Sequence, residues 1–213
     1  MSNSPLVVYT KISPCSSPRN NPNYQNKIDT ITIHHMAGNM TVESCGKLFQ
    51  DEKRQVSSNY GIGSDGRIAL YVDEKDRSWC SSSRANDYRA ITIEVANDGG
   101  ANTGWHVSDK ALNSLVQLCA DICKRNGIEK LVWSSSKEDR VNHKNGCNMT
   151  VHQDFAAKAC PGPYLLSKHQ WIADQVNAML SPAMEPAKPI EAPKPVEQPK
   201  PIEATAPVEP PKP

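Results

Sequence analysis

Within the stretch Thr150–Pro163, TVHQDFAAKACPGP, His152 and Cys160 stand eight positions apart, Lys158 lies two before the cysteine, and Pro161-Gly162 follow it directly. An imidazole and a thiolate are good ligands for zinc. On one continuous helix, residues eight apart lie about two turns from each other, so a bend must bring this pair together. Proline cannot continue a helix and glycine tolerates unusual backbone angles. Pro161 and Gly162 can therefore shape the chain just past Cys160. A histidine and a cysteine at this spacing do not make a metal site alone; a further ligand must come from elsewhere in the chain.

The segment IDTITIHHMAGN offers one. Ile31 and Ile33 alternate with Thr30, Thr32 and His34, the period-2 pattern of a half-buried strand. The alternation puts His34 on the polar face and His35 on the isoleucine face, with Asp29 at the strand's start. It favours His34 as the ligand and makes His35 a histidine packed or hydrogen-bonded at the strand end. The clearest strand is Ile91–Val95, with Ile91, Ile93 and Val95 on one face and Thr92 and Glu94 on the other. A carboxylate in mid-strand is costly to bury without a partner. Glu94 either points to solvent or works in a site.

The remaining elements must position these groups. Val42–Lys53 reads as a helix with an apolar stripe of Val42, Cys45, Leu48 and Phe49. In SSNYGIGSDGRIALYV, Tyr60 and Ile62 precede a Ser64-Asp65-Gly66 turn, and Ile68, Leu70 and Val72 alternate after it, which predicts a hairpin. The polar run DEKDRSWCSSSRANDYRA reads as a surface loop, with Trp79 either a partly buried anchor or a wall of a groove. Ser108–Asn126 is the strongest helix, capped by Ser108 and closed by Gly127. Its Leu112, Leu115, Val116, Cys119, Ile122 and Cys123 recur at core spacing, so both cysteines belong to the interior. The polar loop after Trp133 carries His143 and Cys147, read as ordinary loop residues. Leu165–Leu180 closes the domain as an amphipathic helix.

The chain's 213 residues suffice for one domain with a sizeable core plus an appendage. Lysines and arginines number 24 against 23 acids, which gives no electrostatic reason to expect nucleic acid or an anionic membrane. No apolar run approaches the roughly 20 residues of a spanning helix, so no membrane insertion is expected. The first residues hold only a short apolar patch, Leu6–Tyr9, with no charged region before it, unlike a Sec-type signal peptide. The cysteines number seven, an odd count without a scaffold pattern, and read as mostly reduced thiols of a protein made in the cytosol. Residues 1–27, rich in Ser, Pro and Asn, read as an irregular arm.

From Pro182 the composition changes. Eleven of the 17 prolines fall in residues 182–213, which repeat with period six: EPAKPI, EAPKPV, EQPKPI, EATAPV, EPPKP. Polyproline II has three residues per turn, so Glu and Lys three apart share one edge of a rod. The segment reads as a disordered, semi-rigid linker able to reach on the order of 100 Å, of the kind that leads into another module.

Four pieces in order, ITIHHMAGN, SSNYGIGSDGRI, AITIEVAN and VHQDFAAKACPGPYL, resemble the amidase-2 family. These are the zinc N-acetylmuramoyl-L-alanine amidases related to peptidoglycan recognition proteins and small phage amidase lysozymes. The resemblance covers roughly residues 28–181. It implies an α/β fold, a mixed central β-sheet flanked by α-helices, in a single catalytic domain (residues 1–181) with a zinc groove. By motif position it implies His34, His152 and Cys160 as zinc ligands and Glu94 and Lys158 as catalytic residues. It implies Asn59 and Trp79 as substrate contacts, although many relatives have His at the position of Asn59 and Trp-His where this chain reads Trp79-Cys80. Some members carry a catalytic Tyr where Ser58 stands. The implied partner is peptidoglycan, cut between N-acetylmuramic acid and L-alanine, and the linker suits a catalytic domain tethered to a C-terminal cell-wall-binding module. Without a signal peptide, a phage or prophage endolysin released by holin-type lesions fits best, with cytolysis as its role. A host autolysin, or a recognition module without turnover, is the alternative. A deaminase is disfavoured because the chain lacks a Cys-x-x-Cys pair.

Overall fold

The computed structural model describes residues 2–181; the Pro-rich segment 182–213 lies outside the described residues. The strands are β1 (Tyr9–Thr10), β2 (Ser16–Pro18), β3 (Thr30–His35), β4 (Tyr60–Ile62), β5 (Ile68–Leu70), β6 (Asp76–Ser78), β7 (Ala90–Val95) and β8 (Met149–Thr150). The α-helices are α1 (Val42–Leu48), α2 (Arg84–Arg89), α3 (Asp109–Asn126), α4 (Lys137–Val141) and α5 (Gly162–Leu180). Among the described residues the main sheet has six strands in the order β1-β5-β4-β7-β3-β8. Only β4 and β5 pair antiparallel in it, through the expected hairpin, with Tyr60 opposite Leu70 and Ile62 opposite Ile68. Gly66 takes φ +85° in its turn, a conformation nearly free of cost only for glycine. The result is the expected mixed sheet flanked by helices.

One sheet face carries Ile31, Ile33, Ile91, Ile93 and Val95, all fully buried against α3 and α5. The predicted stripe of α3 joins this core, including Cys119 and Cys123. Ser108 caps α3 by accepting from the Ala111 N–H, and Gly127 ends it at φ +67°.

Other expectations need correction. The Thr/His face of β3 is not solvent-exposed: Thr30, Thr32 and His34 are completely buried. Parallel strands with both faces covered usually read as continuous apolar runs. Here the second face is satisfied by hydrogen bonds instead. Thr32 bonds Thr150 at 2.8 Å, Asn86 donates to Thr32 at 3.0 Å, and Thr150 donates to Asn86 at 2.9 Å.

The cover on that face comes from the run read as a surface loop, which contains β6 and α2. The N-terminal arm is also less irregular than its composition suggests. β1 adds to the sheet edge beside β5, and β2 pairs antiparallel with β6. Arg19, just past β2, drives its guanidinium inward and donates to the carbonyls of Glu74, Asp87 and Ala90 at 2.9, 2.7 and 2.6 Å. Buried polar groups are tolerated when paired in this way. The helix expected over Val42–Lys53 stops at Leu48, where Phe49 turns inward, and a separate 3₁₀ turn follows at Glu52–Arg54.

Candidate metal centre and groove

His34 sits near the end of β3, and the parallel register places it directly beside Glu94 of β7. His152 opens a single 3₁₀ turn, His152–Asp154, just after β8. Cys160 lies at the entry to α5, whose first residue, Gly162, takes φ +76°. Three separate segments thus converge. One ligand atom from each of His34, His152 and Cys160 lies within 4.8 Å of the others.

His34 Nδ1 stands 3.4 Å from Cys160 Sγ. Zinc distances of about 2.3 Å to sulfur and 2.0–2.1 Å to nitrogen, at a tetrahedral angle, require an N–S edge of about 3.5 Å. The pair already has that spacing. His34 Nε2 is buried and finds no hydrogen-bond partner among the described residues. Burial, and then the neighbouring His152, hold the His34 imidazole neutral, well below its ordinary range. Burial followed by the Lys158 charge lowers His152 as well. Neutral imidazoles are the form a cation binds. Burial raises the Cys160 thiol, with Glu94 adding to it; a cation reverses that, since a coordinating thiol is deprotonated outright. The donor set fits zinc.

Hydrogen bonds and packing hold the segments in place. The His35 N–H donates to Cys160 Sγ at 3.4 Å. The His35 ring stacks on Trp105 at 4.0 Å and 8°, and its Nδ1 lies 2.9 Å from the Met36 carbonyl. It is the packed histidine expected. Trp105, itself at φ +59°, also covers Gly162: a Cβ there would lie 2.7 Å from Trp105 Cβ and Cγ. One indole therefore joins the end of β3 to the segment after Cys160. The His152 turn is held from below. Asp154 accepts from the Val151 N–H at 3.0 Å and receives the buried Arg140 guanidinium at 2.6 and 3.0 Å.

Glu94 is half-buried, and burial pushes its carboxyl up to about 8. The Cys80 thiol faces its Oε1 at 3.9 Å. A groove of about 630 Å³ opens over His152, lined among others by Tyr24, Arg77, Trp79, Tyr88 and the exposed Lys158. Trp79 is both anchor and wall: it is half-buried, lines the groove, and donates through Nε1 to Ser17 Oγ at 3.0 Å. Tyr24, from the arm, stacks on Tyr88 at 4.6 Å.

Asn59 does not reach this groove, which corrects its reading as a substrate contact. It is completely buried, and its amide donates to the carbonyls of Val72, Asp73 and Asp76 and accepts from Thr92. Ser58 is equally enclosed and donates to the Tyr60 carbonyl. His143 and Cys147 belong to no metal-ligating cluster among the described residues; His143 Nδ1 lies 3.0 Å from the Cys147 carbonyl. Sequence reading missed Arg140, Asp154 and Trp105. Asp154 had one local signal, an acid two residues after His152, whereas Arg140 and Trp105 had none.

The N-acetylmuramoyl-L-alanine amidase family model matches residues 24–163. Among solved structures, the chain is similar to a selenomethionine derivative of AmpD, at 19% identity and TM-score 0.57, covering 81% of this chain and 99% of that one. It is similar to the endolysin N-acetylmuramoyl-L-alanine amidase LysCS from Clostridium intestinale, at 23% identity and TM-score 0.51, covering 80% and 98%. The Staphylococcus aureus hydrolase AmiA, solved with its ligand, matches at 16% identity and TM-score 0.55, covering 81% and 80%. A search of curated protein sequences found no match. These structural likenesses share the fold, and the family match spans both halves of the candidate metal centre: the chain belongs to the amidase-2 family of N-acetylmuramoyl-L-alanine amidases.

Proposed function

We propose that this chain is a zinc-dependent peptidoglycan amidase that hydrolyses the amide between the lactyl group of N-acetylmuramic acid and L-alanine of the stem peptide. The observation that carries the reading is the convergence of His34, His152 and Cys160 beside Glu94, with His152 lining an open groove. Three protein ligands with a fourth position open are the pattern of a catalytic rather than a structural zinc. When bound there, zinc supplies Lewis acidity at the scissile carbonyl and acidifies water.

The chain's own residues divide the remaining work. Glu94 takes the proton of the attacking water and hands it to the departing alanine nitrogen. Its raised carboxyl suits a group that must both accept and return a proton. Lys158, a point cation on the groove wall, stabilises negative charge developing on the carbonyl oxygen. Trp79 and the stacked Tyr24 and Tyr88 offer apolar surface to sugar and peptide.

The biological role we favour is lytic, that of an endolysin reaching the wall through holin-type lesions, rather than a host autolysin. No helix among the described residues is long and apolar enough to cross a membrane. A gene for a small membrane protein beside the coding locus supports the lytic role, and a locus among cell-wall synthesis genes supports the autolysin.

The test is digestion of purified Gram-positive walls with and without chelator, followed by mass analysis. Free stem peptides beginning with L-alanine, lost on chelation and restored by zinc, support the reading. Zinc-dependent cuts elsewhere overturn the bond assignment. Walls bound but uncut indicate a recognition module.

A further inference from the structure

A second set of metal-ligating atoms lies beside the first. Cys80 Sγ, a carboxylate oxygen of Glu94 and a ring nitrogen of His34 all lie within 4.8 Å of one another. The Cys80 thiol faces Glu94 Oε1 at 3.9 Å. His34 belongs to both sets, is completely buried, and keeps Nε2 without a hydrogen-bond partner among the described residues.

We propose that His34, Cys80 and Glu94 form an alternative site for a thiophilic divalent cation, used when Cys160 or His152 is lost from the first set. The inference rests on reading His34, His152 and Cys160 as the catalytic metal ligands. Imidazole, thiolate and carboxylate are all zinc donors. A neutral imidazole has one free lone pair, its other nitrogen carrying the proton. His34 therefore serves one set at a time.

Spacing decides which set comes first. The His34–Cys160 edge is 3.4 Å, at the tetrahedral value of about 3.5 Å. The Cys80–Glu94 edge is 3.9 Å and must shorten. The first set holds the ion in the intact protein, and the second takes it over when the first is damaged. Forming the site releases the Cys80 thiol proton, and any proton held by Glu94, to solvent. It also turns the Glu94 carboxylate into a ligand, so that it no longer acts as a base. Loss of the Cys160 thiol by substitution then leaves a protein that keeps its metal and does not turn over.

Cobalt(II) is the probe, because each thiolate ligand gives a charge-transfer absorption band. The full chain carrying Cys160→Ser is loaded with cobalt and its fold checked by circular dichroism. A persisting thiolate-to-cobalt band that disappears in Cys80→Ser/Cys160→Ser is the expected result. A folded Cys160→Ser protein with no such band overturns the proposal. If Cys160→Ser does not fold, the comparison moves to a His152→Ala background. There, adding Cys80→Ser lowers the band if the proposal holds, and an unchanged band overturns it. Wall digestion by the unsubstituted protein is a separate readout, so failure of the amidase reading and failure of the second site are told apart.

Discussion

His34 and Glu94 are register partners on adjacent parallel strands, β3 and β7. The same backbone ladder that builds the sheet fixes the distance between a candidate ligand and a candidate base. Sites built on rigid strands hold such geometry better than sites on loops. His152 and Cys160 come from less regular backbone, and each has its own brace: Arg140–Asp154 for one, Trp105 for the other.

Glu94→Ala is expected to lower turnover by roughly 10²–10⁴-fold, the usual contribution of general acid–base catalysis. Zinc content should stay near that of the unsubstituted protein, because Glu94 stands outside the His34–His152–Cys160 set. Metal analysis beside the wall-digestion rate checks both; a substantial residual rate removes Glu94 from the role.

Lys158 is exposed on the groove wall, so its removal should leave the fold intact. Lys158→Ala is expected to reduce kcat by on the order of 10²-fold, as loss of one oxyanion donor does. KM should change little, and Lys158→Arg should recover part of the rate. A change confined to KM would assign Lys158 to ground-state binding.

Arg140→Ala leaves the Asp154 carboxylate buried without its cation. Breaking one side of a buried pair costs about 3–5 kcal/mol, which urea unfolding can read. Since Asp154 also fixes the Val151 N–H at the head of the His152 turn, the folded variant should lose metal to a chelator faster. Unchanged metal retention would confine Arg140 to stability.

Gly162→Ala places a Cβ 2.7 Å from Trp105 at φ +76°. Alanine at a positive φ destabilises by more than about 1 kcal/mol even before the clash. The two residues should couple: in a Trp105→Ala background the same change should cost less, as a double-mutant cycle measures. Additive costs would show that the indole does not brace this segment.

His169 on α5 is completely buried, with Nδ1 2.6 Å from the Leu165 carbonyl and its ring against Trp133. Burial holds its pKa down to about 4, against an ordinary 6.5. The folded state keeps His169 neutral where the unfolded chain binds a proton. Its contribution is therefore complete above pH 6.5 and is lost as pH falls towards about 4. The loss is roughly 3 kcal/mol by linkage. His169→Gln should flatten that part of the stability–pH curve, and an unchanged slope would remove the histidine as its source.

Local pattern was enough to read the hairpin, the α3 stripe and the faces of β3 and β7, because each depends on side-chain periodicity over a few residues. The choice of His34 over His35 followed from that alternation, and the four ordered motifs were enough to recognise the family. Burial of the polar face was not legible. Thr32, on the polar face of its strand, and Asn86, in a run that reads as a surface loop, give no sign of enclosure until their hydrogen bonds with each other and with Thr150 are seen. Nor was the role of the arm, since Arg19 meets the Asp87 carbonyl 68 positions along the chain. Asn59 shows the same limit: its position in the family pattern implies a substrate contact, while its amide is bonded inside the domain. Sequence alone determined which groups are candidates for the chemistry and which face each strand turns to the core. Only the tertiary structure decided which polar groups remain free, because a hydrogen-bond partner is supplied by whatever segment the fold brings near and leaves no local periodicity to read.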